Sequence, residues 1–517
     1  MKKLLGLFSA LVLLIICLAA LPLDAQAAQI KDGPFIYVVL QEKAIIVGCD
    51  KSISGDHTIP ATLGGYPVTM INCDAFRGCT KLTGITIPRG VTKIGQSAFE
   101  NCTSLVTVSI PDTVVSLEAY AFAYTALTSI TIPKGVTALP TGIFRYCVDL
   151  TSVKAHDGIT TIGMCAFQNC GLLTDFTLPK GVTTIGFAAF QDCISLAELV
   201  IPQATTHIAG SAFRRCANLS SVTIESNDLR LENYAFESCT SLKEIAIPGG
   251  ANLSARAIFR DCTALTTVTI GDGENKLGDY AFSGCTALTK VNLGNGVSAI
   301  GHHTFLDCAN LASINIPSSV TLIGHRAFSN CISLQDVYID DLAAWCAMNT
   351  ASNPMEYGKH LYLNGELITQ LVIPEEISAI RPEAFQNCTT LESITIPTSV
   401  VSIDYSAFEN CTALGHILYK GSEQDWNAIH INGTNNLPLF AAKRHYACTG
   451  SEIVDSVCSI CPPEEPKPTE PVETTPAPTE PDDPEQSSGD ATWTIVTVAI
   501  VLLGSGAAGW FIWKRKH

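Results

Sequence analysis

One line of sequence recurs along most of the chain, and its period constrains the fold more than any other feature. It reads approximately C-x-x-L-x-x-I-x-I-P-x-x-V-x-x-I-G-x-x-A-F-x-x. The copies are 23 residues apart, with one step of 22 and one of 57. Their marker phenylalanines are Phe76, Phe99, Phe122, Phe144, Phe167, Phe190, Phe213, Phe236, Phe259, Phe282, Phe305, Phe328, Phe385 and Phe408. A fixed period of this length indicates stacked structural units and not a series of independent domains.

Each copy has the pattern of one short strand followed by bends. Ile130 and Ile132 alternate with small polar residues, as in a half-buried strand, and Pro133 ends the strand. One copy buries about seven apolar side chains, worth roughly 1.5–3 kcal/mol each. Ordering its backbone costs about 1–2 kcal/mol per residue, which exceeds that gain. The sequence therefore predicts a repeat solenoid, mainly β, with short parallel strands stacked coil on coil and short helical or irregular segments.

The repeat resembles the BspA-like, Treponema-type leucine-rich repeat of bacterial surface proteins, over roughly residues 50–446. The resemblance implies an N-terminal cap and first repeat at 28–75 and a role in adhesion. The predicted organisation continues with the solenoid at 76–336, a Trp-containing insertion at 337–373, and final repeats with a C-terminal cap at 374–446. A Cys-containing segment follows at 447–461.

A cysteine stands three residues after almost every marker phenylalanine. These cysteines are Cys79, Cys102, Cys147, Cys170, Cys193, Cys216, Cys239, Cys262, Cys285, Cys308, Cys331, Cys388 and Cys411. Disulfides are one interpretation for an exported protein, and a ladder of buried thiols is the other. Thr125 takes the position in one copy. Because a threonine can replace a hydrogen-bonding thiol but not half a disulfide, we expect thiols.

The repeat breaks at two Trp-bearing stretches. Trp345 is predicted on a short helix, with Asn364-Gly365 as a hairpin turn further on, and Trp426 begins a similar second stretch. These stretches are either longer coils, the second closing the C-terminal edge, or an exposed ligand-binding patch. The candidate patch residues are Trp345, Tyr357, His360 and Trp426.

Four residues near the end of the repeats have a spacing compatible with a metal site. They are His445, Cys448, Cys458 and Cys461, in the pattern H-x2-C-x9-C-x2-C. A disulfide within this group is an equally compatible interpretation outside a cell. No other cofactor is indicated.

Both ends of the chain indicate export and anchoring. Residues 1–27 have the basic start, apolar run and A-x-A site of a signal peptide. Residues 462–490 contain nine acids and one lysine among many prolines, which is typical of an extended linker. Residues 493–513 are apolar with Trp at both edges, and 514–517 are basic, as expected for a transmembrane helix and a cytoplasmic tail.

The surface of the predicted strands suggests binding and not catalysis. The outward column is mostly small and polar: Thr86, Ser109, Thr131, Lys154, Thr177, Val200, Thr223, Ala246, Thr269, Asn292, Asn315, Tyr338 and Thr395. The net charge of -17 argues against a nucleic-acid partner. We find no catalytic motif and predict no enzyme. The sequence thus predicts a membrane-anchored cell-surface module that binds an extracellular protein or glycan, with a structural envelope protein or a same-cell scaffold as the alternative.

Overall fold

The computed structural model describes residues 28–448 with their side chains, and the backbone of 453–454 and 457–458. Over this range the chain winds as a parallel β-solenoid, as predicted. Strands in successive coils pair in register one repeat apart, for example Ile130 with Val153 and Ile162 with Ile185. The period found in the sequence is therefore the length of one turn.

Each coil has two strand-bearing sides and a third side made of turns. The first side, here called the strand face, contains the longer strand of most repeats, and in one coil an isolated bridge from Asp175 to Ser152 takes its place. Its strands are Ser54–Thr58, Lys81–Thr86, Thr107–Ser109, Ser129–Thr131, Ser152–Lys154, Glu198–Ile201, Ser221–Ile224, Glu244–Ile247, Thr267–Ile270, Lys290–Asn292, Ser313–Ile316, Asp336–Ile339 and His360–Leu363. After the break the face continues in a separate sheet of Gln370–Val372, Ser393–Ile396, His416–Tyr419 and Lys443–His445.

The second side contains a shorter strand from each coil. Its strands are Lys93–Ile94, Ser116–Leu117, Ala138–Leu139, Thr161–Ile162, Thr184–Ile185, His207–Ile208, Arg230–Leu231, Asn275–Leu277, Val297–Ile300, Leu322–Ile323, Asn349–Thr350, Ala379–Ile380, Ser402–Ile403 and His430–Ile431. On the third side two turns enclose the marker phenylalanine. The residues two before and two after it have positive φ in most coils, as Ser211 (57°) and Arg215 (58°) do around Phe213.

The core is built from the same residues in every coil. The marker phenylalanines are fully buried and stack between coils, with ring centroids 4.9 Å apart for Phe76 and Phe99 and 5.2 Å apart for Phe213 and Phe236. Offset stacking of this kind adds about 0.5–1.5 kcal/mol per pair to the burial of the rings. A coil without neighbours on both sides would lose these contacts, which explains why the repeat folds only as an array.

An antiparallel sheet covers the first coil. Its strands are Ile30–Asp32, Phe35–Leu40 and Lys43–Cys49, and the last of these pairs in parallel with Tyr66–Ile71. The short strand Thr62–Leu63 pairs antiparallel with Tyr66–Ile71. Phe35 meets the ring of Phe76 edge-on at 6.2 Å. The cap therefore closes the phenylalanine stack with an aromatic ring of its own.

Helices occur where the repeat breaks. They are Leu342–Ala347, Glu423–Asn427 and Leu437–Ala441, with a 3-10 turn at Pro354–Glu356. The first is capped by Asp341, whose carboxylate accepts from the Ala344 N–H, and the second begins with a capping box of Ser422 and Asp425. The predicted hairpin is present: His360–Leu363 pairs antiparallel with Glu366–Leu367 across Asn364 and Gly365, whose φ angles are 53° and 86°.

Several predicted segments lie outside the described residues. They are the signal peptide at 1–27, the linker at 462–490, the transmembrane helix at 493–513 and the tail at 514–517. Within the described part of the chain, no helix is both long and apolar enough to span a membrane. An antiparallel pair of Ile453–Val454 and Val457–Cys458 lies within the Cys-containing segment.

Candidate binding surface

Most ladder cysteines are thiols that point at backbone carbonyls. In eleven coils the Sγ atom donates to the carbonyl oxygen of the preceding marker phenylalanine at 3.0–3.3 Å, as Cys216 does to Phe190. The two other ladder cysteines, Cys79 and Cys388, each begin a stack. Thr125 donates instead to Phe122 of its own coil at 2.8 Å and lies 3.2 Å from the sulfur of Cys147. The ladder is therefore part of the core and offers no surface for a ligand.

The exposure expected for the two tryptophans is wrong. Trp345 is 4% exposed and its Nε1–H donates to the Ala384 carbonyl at 2.9 Å. Trp426 is 5% exposed and meets Tyr419 edge-on at 5.4 Å. The reason is that each short helix replaces a turn of a coil and fills the core with its tryptophan. Both breaks are thus longer coils, which was the structural alternative.

The other two patch candidates are partly exposed but lie apart in the coil. Tyr357 follows the 3-10 turn, and its hydroxyl accepts from the Asn330 N–H at 3.2 Å. His360 lies on the strand face, with Nδ1 2.8 Å from a carboxylate oxygen of Asp336. The strand pairing aligns these two residues in adjacent coils. His360 is therefore the candidate that belongs to a wider surface.

That surface, here called the tyrosine cluster, consists of Asp336, Tyr338, His360 and Tyr362. Tyr338 and Tyr362 are partners in adjacent strands, and their rings stack with centroids 4.6 Å apart. The His360 ring stands edge-on to Tyr362 at 6.5 Å. All four side chains are half-buried. Desolvation, Asp336 and Tyr338 raise the pKa of the Tyr362 phenol above its ordinary value.

The tyrosine cluster lies where the strand face changes character. Upstream, the outward column consists mainly of exposed small residues such as Thr223 and Thr269. Immediately downstream, the Asn364-Gly365 hairpin ends the sheet, and a separate sheet begins at Gln370–Val372. In that later sheet Thr395 is buried, contrary to its predicted outward exposure, because it lies in register between the apolar Val372 and Leu418.

The cluster has the chemistry of a polar binding surface. Two flat aromatic rings offer apolar area at little conformational cost, and their hydroxyl groups, the imidazole and the carboxylate supply directional hydrogen bonds. Tyr362 is a surface residue that the repeat pattern did not single out. Tyr362 occupies the same strand position as Tyr338 in the next coil. That coil is longer than a regular one, so the two residues are 24 positions apart and the 23-residue period does not align them.

The predicted metal site is only partly described. His445 is buried, and its Nε2 lies 3.1 Å from His416 Nδ1. The Cys448 thiol is 3.7 Å from the Tyr446 carbonyl. Of Cys458 the backbone alone is described, and Cys461 lies outside the described residues. Among the side chains that are described, no group of three or more His, Cys, Asp or Glu could hold a metal ion. The four-residue site stays a prediction.

The coil geometry defines a leucine-rich repeat solenoid, and comparisons with known proteins agree. The family described as "BspA type Leucine rich repeat region (6 copies)" matches residues 69–174, 160–285, 255–344 and 355–431. The chain belongs to this BspA-type leucine-rich repeat family. A sequence search of curated proteins returns no match.

Solved structures of several bacterial proteins are similar to this chain. A leucine-rich repeat protein from Bacteroides ovatus is 23% identical, with a TM-score of 0.51 over 81% of this chain and 99% of that chain. A leucine rich cell surface protein from Faecalibacterium prausnitzii is 30% identical over 78% of this chain and 97% of its own, with a TM-score of 0.34. The pneumococcal vaccine antigen PcpA is 16% identical over 81% of this chain and 98% of its own, with a TM-score of 0.38. The Bacteroides ovatus protein supports the fold.

Proposed function

We propose that this chain is a membrane-anchored extracellular protein that binds proteins or glycans of a host or a neighbouring cell through its strand face. The observation that carries the proposal is the tyrosine cluster: stacked, half-buried Tyr338 and Tyr362 beside the His360–Asp336 pair, on a regular polar face. A rigid face of stacked strands presents many contacts without an ordering cost at binding.

Export and anchoring rest on sequence features. A cleaved signal peptide at 1–27 would send the solenoid out of the cytoplasm, and a helix at 493–513 would hold it at the membrane. The acidic, proline-rich segment 462–490 would keep the solenoid away from the lipid surface. Membership of a repeat family found in bacterial surface proteins supports the same arrangement.

The test is a binding array with a matched control. Cells that display the full chain are exposed to extracellular matrix proteins, mucins, cell-wall polymers and glycans. The variant Tyr338→Ala/Tyr362→Ala removes the aromatic pair of the strand face. The control Tyr124→Ala/Tyr146→Ala removes another partly exposed, stacked tyrosine pair, 4.8 Å between centroids, from the turn side of the coils.

The two variants separate a binding surface from general stability. We expect saturable binding to one ligand class, lost by at least tenfold in affinity in the strand-face variant and retained in the control. Equal losses in both variants would contradict the assignment of the cluster. Failure to bind any ligand class would contradict the adhesion role and favour a structural envelope protein or a scaffold for a partner on the same cell.

A further inference from the structure

The first sulfur of the ladder differs from those that follow it. From Cys102 onward most ladder thiols point at the carbonyl of the preceding marker phenylalanine. Cys79 belongs to the first coil with a marker phenylalanine, so no equivalent carbonyl precedes it. Its Sγ lies instead 2.7 Å from the Sγ of Cys49, at the end of the cap strand Lys43–Cys49.

A separation of 2.7 Å is too short for two sulfurs that merely touch. Non-bonded heavy atoms attract best at roughly 3.5–4.0 Å, whereas bonded sulfurs lie about 2.03–2.05 Å apart. Both side chains are buried, with Cys49 4% exposed and Cys79 0% exposed. The backbones of the cap and the first coil therefore already bring the two sulfurs almost to bonding distance.

We propose that Cys49 and Cys79 are a disulfide-forming pair that covalently joins the N-terminal cap to the first coil, while the rest of the ladder stays reduced. The bond would close a loop between residues that are 30 positions apart in the sequence. It would act at the N-terminal end of the array, where the cap has a neighbour on one side only and is prone to fraying.

The surroundings favour the chemistry. Contacts with the side chains of Cys102 and Cys49 lower the pKa of Cys79, the charge of Lys51 acts in the same direction, and burial acts against them. The ammonium group of Lys51 donates to the Arg77 carbonyl and lies 3.9 Å from the Cys79 sulfur. A thiolate is the form that attacks a disulfide. Cys79 is thus suited to be the attacking sulfur and Cys49 the resolving one.

The reaction needs a disulfide oxidant, either a dithiol oxidase outside the cytoplasm or oxidised glutathione. At the last stage of docking, when the cap has brought Lys51 and Cys49 close to Cys79 but an oxidant can still reach the sulfurs, the Cys79 thiolate attacks the oxidant disulfide and releases one thiolate. Cys49 then loses its proton and attacks the Cys79 sulfur, which expels the second thiolate. Two electrons and two protons pass to the oxidant, which leaves as two thiols.

Differential alkylation of the full-length protein tests the proposal directly. The protein is refolded with oxidised glutathione, which makes the result independent of where the protein resides. It is then denatured, alkylated with a light reagent, reduced and alkylated with a heavy one. We expect the heavy label on Cys49 and Cys79 and the light label on ladder residues such as Cys216. The linked peptide should be lighter than the two reduced peptides by two hydrogens.

Two variants provide controls. Cys49→Ser should give the light label on Cys79, whereas Cys73→Ser, at an exposed cysteine nearby, should leave the Cys49–Cys79 bond intact. Reductant should lower the melting temperature of the wild type by roughly 5 °C and leave that of Cys49→Ser unchanged. Light label on both Cys49 and Cys79 in the wild type would overturn the proposal. So would a bond from Cys79 to Cys73 or Cys102.

Discussion

Raising the pH from about 7 to about 10 should strongly destabilise the solenoid, because ionisation of its buried thiols is unfavourable in the folded state. Burial raises the pKa of Cys147 from 9.0 to about 11. It raises the pKa of Cys262, Cys331 and Cys411 to about 12, and desolvation is the largest cause in each. In the unfolded chain the same thiols regain their ordinary value of 9.0. Above that pH the unfolded state therefore releases protons that the folded state keeps.

The sign and size of the effect follow from these values. The stability that each protonated thiol contributes is fully present below about pH 9 and is lost as the pH rises toward its folded-state pKa. Within that window each thiol lowers the free energy of unfolding by about 1.4 kcal/mol per pH unit. For five neighbouring coils that open together, the free energy of unfolding would be about 7 kcal/mol lower at about pH 10 than at neutral pH. Typical domains have only about 5–15 kcal/mol in total.

Urea unfolding followed by circular dichroism, in reductant and at a series of pH values, measures this dependence. The matched variant changes three adjacent ladder positions, Cys193→Thr, Cys216→Thr and Cys239→Thr, because Thr125 already occupies such a position. Relative to its own stability at neutral pH, the variant should lose about 4 kcal/mol less than the wild type at about pH 10. An identical loss in both proteins would refute the reasoning, since tyrosine and lysine ionisation would then account for alkaline unfolding.

Three further substitutions test the core. Phe236→Ala should lower the local free energy of opening, measured by native-state hydrogen exchange, by about 3–5 kcal/mol. Phe408→Ala should lower that free energy by about 0.5–1.5 kcal/mol less than Phe236→Ala does. The reason is that Phe236 stacks on two rings, whereas Phe408 stacks only on Phe385 at the end of the described stack. Equal costs for the two substitutions would contradict this. Trp345→Phe should cost about 2 kcal/mol in thermal or urea unfolding through the lost hydrogen bond to Ala384 and the void it leaves. Loss of ligand binding at unchanged stability would instead make Trp345 a contact residue.

The period predicted the coil because nearly every repeat position has one environment. Leu196, Leu199, Ile201 and Ile208 all point into the core, as their spacing indicates. The phenylalanine stack also follows, since residues one period apart must lie above one another in a solenoid. Many aligned copies average out the local ambiguity that makes a single short strand hard to predict.

The breaks could not be predicted in the same way, because two similar stretches are too few to fix the environment of each position. A helix of six residues around Trp345 does not reveal from sequence which of its sides meets the core. The pairing of Tyr338 with Tyr362 depends on how much extra chain the coil takes up before the strand resumes. Such local lengths are set by packing and not by composition. The tyrosine cluster therefore required the structure.

The direction of the ladder bonds has a consequence for how such a chain can change in length. Most internal coils donate a thiol backward to one neighbour and offer a phenylalanine carbonyl forward to the next, as Cys216 and Phe213 do. A duplicated coil inserted in the interior could donate its thiol to the phenylalanine carbonyl of the coil before it. Its own phenylalanine carbonyl could accept from the thiol of the coil after it. A coil added before Cys79 would instead separate that sulfur from Cys49. The interior can therefore gain or lose whole repeats, whereas the junction between the cap and the first coil has to be kept as it is.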